Sequence, residues 1–264
     1  MTRREKIVLT SNVIAAAAVV AIIVFVILPY MTAHMLDLEV DRSHYPVKGI
    51  DVSHHNKEID FEKVKNDTVS FVYIKASDGV GDKDARLTRN YHGAKAFGFD
   101  VGFYHYFRYH RDGHQQAQYF LQTIKGMDTE LPLVIDIEEK DNKTEELPLV
   151  TRRVRDMVYD LRKAGYRVML YVNPHQYESI VKGHFDDVEL WVASSRSPQE
   201  SIPQRRLWQH SHWGKVDGIE HETDINVFNG TREEYDAWVK GESTPSPNKN
   251  NTQYSKSDNN NQQQ

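Results

Sequence analysis

The sequence predicts an α/β protein: a parallel barrel of five βα units followed by three strands, preceded by one transmembrane helix. Three observations carry that prediction. Strand-like and helix-like segments alternate from Val47 to Val239, with the helices stunted in the last third. The segment Leu131-Pro-Leu-Val-Ile-Asp-Ile-Glu138 is apolar until its last residues, as in a strand covered on both faces. Near the amino terminus, Ile7–Leu28 forms a largely apolar stretch. The 264 residues, less both ends, leave roughly 200 for one well-buried core. A net charge of −5 argues against a nucleic-acid binder, which would normally show a basic stripe. The absence of cysteine excludes disulfides and thiol catalysis.

In chain order, residues 1–6 are a basic stub and 7–28 a signal anchor, long enough as a helix to cross ~30 Å of hydrocarbon. Thr10, Ser11 and Asn12 fall near the headgroups. Arg3, Arg4 and Lys6 keep the stub cytoplasmic and send the rest outward from a single-pass position in the cell membrane. A cleaved signal peptide is the alternative, but the apolar core exceeds the usual ~7–15 residues and no small-x-small site follows it. Residues 29–46 read as a juxtamembrane spacer and 47–240 as the barrel. Residues 241–264, rich in Ser, Asn and Gln, read as a disordered tail.

Within the barrel, strands are predicted at Val47–Val52, Val69–Ala76, Val101–Phe107, Leu131–Glu138 and Arg167–Val172. Helices follow at Asp60–Lys65, Arg86–Phe97, His114–Ile124 and Leu149–Ala164, with Gly98 and Gly165 as stops, and then a short fifth helix. Strands at Glu189–Ala193, Arg206–Gln209 and Asp224–Phe228 come next, and a helix over Arg232–Val239 ends the domain.

Carboxylates recur at the carboxyl ends of these strands: Asp51, the pair Asp136 and Glu138, and Asp224. In a barrel such ends converge on one face. Residues i and i+2 of a strand share a face about 6–7 Å apart, so Asp136 and Glu138 read as a glycosidase-type acid pair. Crowded acids raise the pKa of at least one member, leaving one carboxyl protonated and another ionised. Tyr104, Tyr106, Tyr171, Trp191, Trp208 and Gln209 are candidate substrate contacts, because aromatic faces stack on sugar rings and amides bind their edges. Alternation puts Tyr104 and Tyr106 on one face and His105 on the other, and leaves open which face is the lumen.

The ordered set Gly49-Ile-Asp-Val-Ser53, Phe71-Val-Tyr-Ile-Lys-Ala76, Gly102-Phe-Tyr-His-Tyr106, Leu131–Glu138, Leu190-Trp-Val-Ala193, Trp208-Gln209 and Asp224-Ile-Asn226 resembles glycoside hydrolase family 25, the Chalaropsis-type lysozymes. The resemblance implies an irregular TIM-like (β/α)5(β)3 barrel that cleaves the β-1,4 bond between N-acetylmuramic acid and N-acetylglucosamine in peptidoglycan, with no metal or cofactor. It makes Glu138 the general acid and has Asp136 stabilise the transition state by orienting the substrate's acetamido group. Asp51 and Asp224 position substrate and set the charge. Lys75-Ala-Ser-Asp-Gly79 and Ala193-Ser-Ser-Arg196 depart from the family pattern beside the cleft and bear on subsite preference. Competing readings are a catalytically weak peptidoglycan-binding barrel, a metal-dependent hydrolase using His54, His55, Asp51 and the acid pair, and a scaffold for wall synthesis. The partners expected are glycan strands and the membrane.

Overall fold

The computed structural model describes residues 3–28, 40–195 and 197–242. They fall into two units, divided after Leu38. In the first, α1 spans Arg3–Ile22 and passes into a π-helix over Ile23–Ile27. Among the described residues no helix is long and apolar enough to cross a membrane. The continuous span expected over Ile7–Leu28 is therefore not shown: the hydrogen-bonding pattern changes at Ile23, leaving the most apolar run outside α1. Most of the expected spacer and tail, residues 29–39 and 243–264, lies outside the described residues.

The second unit is built on nine strands: β1 (Lys48–Val52), β2 (Val69–Asp78), β3 (Asp82–Lys83), β4 (Asp100–Tyr106), β5 (Leu133–Asp136), β6 (Val168–Val172), β7 (Glu189–Ala193), β8 (Arg205–Gly214) and β9 (Thr223–Phe228). Parallel pairing runs β1–β2–β4–β5–β6–β7–β8. Antiparallel β9 lies between β8 and β1 and closes the barrel. The two-residue β3 folds back on β2 outside the ring. Helices α2 (Phe61–Asn66), α3 (Leu87–Ala96), α4 (Gly113–Thr123), α5 (Leu147–Lys163) and the one-turn α6 (Pro174–Gln176) follow the first five barrel strands. The last helix, α7, spans Arg232–Val239. This is the predicted order of five βα units and three strands. Gly98 and Gly165 end α3 and α5 at φ of 69° and 92°, a region glycine enters without steric penalty.

Two apolar layers follow from the strand period of two. Ile50, Val52, Val72, Ile74, Phe103, Leu133, Ile135, Leu170 and Val192 point outward into a layer shared with Leu87, Phe120, Val154, Met157 and Leu161 of the helices. α5 supplies Val150, Val154, Met157, Val158 and Leu161 at helical spacing. The alternate residues Phe71, Tyr73, Val134, Met169, Tyr171, Trp191, Leu207 and Phe228 fill the lumen. The lumen accommodates these rings because Gly49 and Gly102 face it: a Cβ at either would lie 2.2 Å from the ring of Phe71 or Tyr73.

α7 plugs the amino end of the barrel. Its Tyr235 stacks on Phe71 with centroids 5.8 Å apart and bonds Asp100 Oδ2 at 2.7 Å. Its Trp238 donates to Glu189 Oε2 at 2.8 Å. A capping box between Thr231 and Glu234 fixes where this helix begins. Where helices are missing over β8 and β9, the segment entering β1 covers the outer face, with Val40 and Tyr45 against Trp208 and Val227.

Three expectations are corrected. β5 stops at Asp136, so Glu138 lies in the following loop rather than two residues along the same strand. β8 continues to Gly214, beyond the expected end at Gln209. Trp208 faces outward: it meets Tyr45 edge-on at 5.4 Å and donates its indole N–H to Ser194 O at 2.8 Å. Gln209 points into the lumen, so its neighbour Trp208 must point out.

Candidate active site

The carboxyl ends of the strands open into a cleft of about 1390 Å³. Asp51, Asp136, Glu138 and Asp224 all line it, with Tyr104, Tyr106, Tyr171, Trp191 and Gln209; Trp208 does not. Tyr104 and Tyr106 therefore take the lumen face. His105 is turned outward and fully buried between Ser77 Oγ at 2.9 Å and Gln116 Oε1 at 3.2 Å.

Asp51, next to last in β1, has Oδ2 held by two amides, Gln209 Nε2 at 2.9 Å and Asn226 Nδ2 at 2.8 Å. Burial pushes its carboxyl well above the ordinary range and the charge of Asp224 adds to this, while the two amides oppose. Asp224 lies directly opposite Asp51 on the β1–β9 ladder, and its Oδ1 is 2.7 Å from His212 Nδ1. Asn226 is itself oriented by Trp191, whose indole N–H donates to Asn226 Oδ1 at 2.8 Å. Trp191 thus forms the cleft floor, packed on Tyr73 and Tyr171.

Asp136, at the end of β5, is raised well above the ordinary carboxylate range by burial and then by the charge of Glu138, against the pull of Lys75. Its Oδ1 is buried without a hydrogen-bond partner. An unsatisfied buried carboxylate oxygen is costly, and in a cleft it invites a donor from a ligand. Burial also raises Glu138. A phenol proton from Tyr171 would pull Glu138 back down. That proton is committed elsewhere: Gln209 spends its Nε2 on Asp51, so its Oε1 accepts from Tyr171 Oη at 2.7 Å.

One rim of the cleft is cationic. Lys75 and Arg108 lie over the Tyr106 ring at 4.9 and 4.7 Å, and Arg108 forks onto Asp78, with Nη2 to Oδ2 at 2.7 Å. His54 and His55 lie on a 3₁₀ turn after β1 with rings 3.9 Å apart, and His54 Nδ1 is 2.7 Å from Asp84 Oδ2. Their rings meet at a tilt of 38° rather than point apart as strand neighbours would. Ala193, Ser194 and Ser195 reach the opposite rim, while Arg196 is outside the described residues.

Asn226 and His212 were missed as site residues. Asn226 was legible, standing two residues from Asp224 on the same strand. His212 carried no such signal, because its strand was expected to end at Gln209.

Residues 50–219 match the family model of the glycosyl hydrolases family 25. The chain is 35% identical over 206 residues to the uncharacterized protein YegX of Escherichia coli (strain K12), covering 75% of each. It is 31% identical over 183 residues to the autolytic lysozyme of Clostridium acetobutylicum, covering 69% of this chain and 56% of that one. The family 25 glycosyl hydrolase from Bacillus anthracis superposes with a TM-score of 0.69 at 27% identity, over 79% of this chain and 97% of that one. Fold, acid cleft and sequence agree that the chain belongs to family 25 of the glycosyl hydrolases, the lysozyme-type enzymes.

Proposed function

We propose that this enzyme is a membrane-anchored lysozyme cleaving the β-1,4 bond between N-acetylmuramic acid and N-acetylglucosamine in peptidoglycan. The observation that carries this reading is the unpartnered, buried Oδ1 of Asp136 beside Glu138, an acid that burial raises above its ordinary value. An acetamido N–H on the sugar would supply the missing donor. Asp136 would then aim the acetamido oxygen at the anomeric carbon while Glu138 protonates the leaving oxygen. The C–O bond breaks as the acetamido oxygen bonds to carbon; water then opens the ring so formed, giving a proton back to Glu138. Asp51 and Asp224 position the substrate and shape the charge of the site, and Tyr104 and Tyr106 offer faces to the sugars.

The test is mass spectrometry of muropeptides released from purified peptidoglycan by the full chain, beside a Glu138→Gln control. Reducing-end N-acetylmuramic acid, lost in the control, is expected. A folded, wall-bound protein that releases nothing would leave only a binding module. Chelator should not alter the rate.

The anchor forms part of the same proposal. It is supported by the run Ile22–Leu28 and by Ile14, Val19 and Val20, all exposed to solvent in the chain by itself. Alkaline carbonate washing of cell membranes tests it: the protein stays with the pellet if it is integral and appears in the wash if it is not. In this reading residues 29–46 are the spacer, 47–240 the catalytic barrel outside the membrane, and 241–264 a polar tail.

A further inference from the structure

We infer that His212 is a positioning residue: its imidazole pairs with Asp224 across the ladder from Asp51 and sets the pH range over which Glu138 works as an acid. The inference rests on the hydrolase reading above and deepens it. It begins from a conflict in the sheet. Asp51 and Asp224 are cross-strand partners in the antiparallel β1–β9 ladder. Like charges in that position repel. Asp51 answers with two neutral amide donors, whereas Asp224 is met by the imidazole of His212 at 2.7 Å.

The strand is bent to bring that imidazole there. Along β8, odd-numbered Leu207 and Gln209 face the lumen, and strict alternation would turn His212 outward. The β8–β9 register instead shifts between Gln209 and Ser211 and again between Ser211 and Gly214. These irregularities return an even-numbered residue to the cleft, and re-aiming a side chain beside an active site is a recurring use of bulges. His212 lines the cleft, half-exposed at its side chain.

Charged groups face it from three directions: Asp224 on β9, Asp51 on β1, and Glu138 from the loop after β5, which also carries Lys140. Glu222, from the same hairpin, lines the cleft as well. The bond to Asp224 is the main cause that raises the imidazole above its ordinary value, and the charges of Asp224, Asp51 and Glu138 act in the same direction. Protonated His212 in turn lowers Glu138. Glu138, Asp51 and the imidazole thus belong to one electrostatic set, and the pH limits of activity belong to that set rather than to one residue.

The experiment is the pH dependence of kcat/KM for peptidoglycan hydrolysis by detergent-solubilised full chain, comparing wild type, His212→Gln and His212→Arg. Thermal melts verify folding, and the half-exposed site tolerates both replacements. Glutamine preserves a hydrogen-bond donor without charge; arginine preserves charge without titrating. Loss of the charge raises Glu138, so the basic limb of His212→Gln moves to higher pH by about half a unit or more, as for one charge several ångströms away in a partly wetted cleft. His212→Arg leaves that limb at or below the wild-type position. Superposable wild-type and glutamine profiles, or equal shifts in both variants, overturn the inference while leaving the hydrolase reading intact. A wild type without hydrolytic activity at any pH overturns both.

Discussion

At the amino end of the barrel the lumen is filled by Phe71, Tyr73, Phe228, Tyr235 and Trp238; at the carboxyl end the same sheet presents Asp51, Tyr104, Asp136 and Asp224. At the first end Tyr235 pairs with Asp100, Trp238 with Glu189 and Tyr73 with Pro132 O at 3.3 Å, and buried Arg205 bonds Asn229 Oδ1 through Nη2 at 3.0 Å while its Nε and Nη1 have no partner. At the other end a carboxylate oxygen is buried unpartnered, and three acids are pushed above their ordinary range, chiefly by burial. One end therefore contributes to stability, and the other is held in an unfavourable state that a bound sugar would relieve. The division matches what barrel enzymes require, chemistry at one face and structural support at the opposite one.

The largest expected effect breaks the chemistry and leaves the fold. Glu138→Gln should lower muropeptide release about 10²–10⁴-fold, the range for loss of a general acid, with no fall in melting temperature. Comparable release by the variant would remove Glu138 from its role. The converse change is Trp238→Ala in the plug. It removes a fully buried indole that packs on Phe228 and Tyr235, and should cost about 3–5 kcal/mol in urea unfolding. Activity per folded molecule should persist at low temperature. If the same substitution abolished cutting by folded protein, the two ends would not be separable.

Much of this division was legible in the sequence because it rests on the period of two. The apolar run of β5 announced a strand covered on both faces, and acids at strand ends announced the cleft. The same rule, applied strictly, rejects Trp208 as a sugar contact, since neighbouring Trp208 and Gln209 cannot share a face. Other features depend on departures from regularity. Glu138 reaches the cleft from a loop because β5 ends two residues early. His212 arrives through register shifts that alternation cannot foresee. The cover of Val40 and Tyr45 over Trp208 takes the place of a helix, and no periodic pattern marks a single passing segment. The choice between Tyr104 and His105 for the lumen needed a closed barrel with α4 on its outside.

A buried residue on the outer layer sharpens the comparison further. Burial lowers the His105 pKa to about 4. Above pH 6.5 this residue is neutral in both folded and unfolded chains. As pH falls below that, the unfolded chain takes up a proton that the folded one refuses, so stability declines until about pH 4, for a total near 3 kcal/mol. Chemical unfolding of His105→Gln across that range should show a flatter pH dependence than wild type. Identical slopes would place the acid sensitivity of the fold elsewhere.

The smallest effect has the opposite sign and bears most directly on the division between the ends. Asp136 is raised by burial and by Glu138, so at neutral pH the folded state carries an ionised or competing carboxylate in a site that disfavours charge. The unfolded chain carries no such penalty. A folded pKa above the unfolded one means that the folded state binds the extra proton, and stability rises as pH falls from the raised value toward the ordinary value of about 3.9. Asp136→Asn is indifferent to this proton. At pH 7 it should therefore be more stable than wild type by about 1 kcal/mol while losing hydrolysis, and its advantage should narrow as pH approaches 4. Melting temperatures of the pair at pH 7 and pH 4.5 decide the matter. A less stable asparagine variant at pH 7 would mean that the carboxylate is satisfied where it stands, and that the carboxyl end, like the plug, contributes to stability.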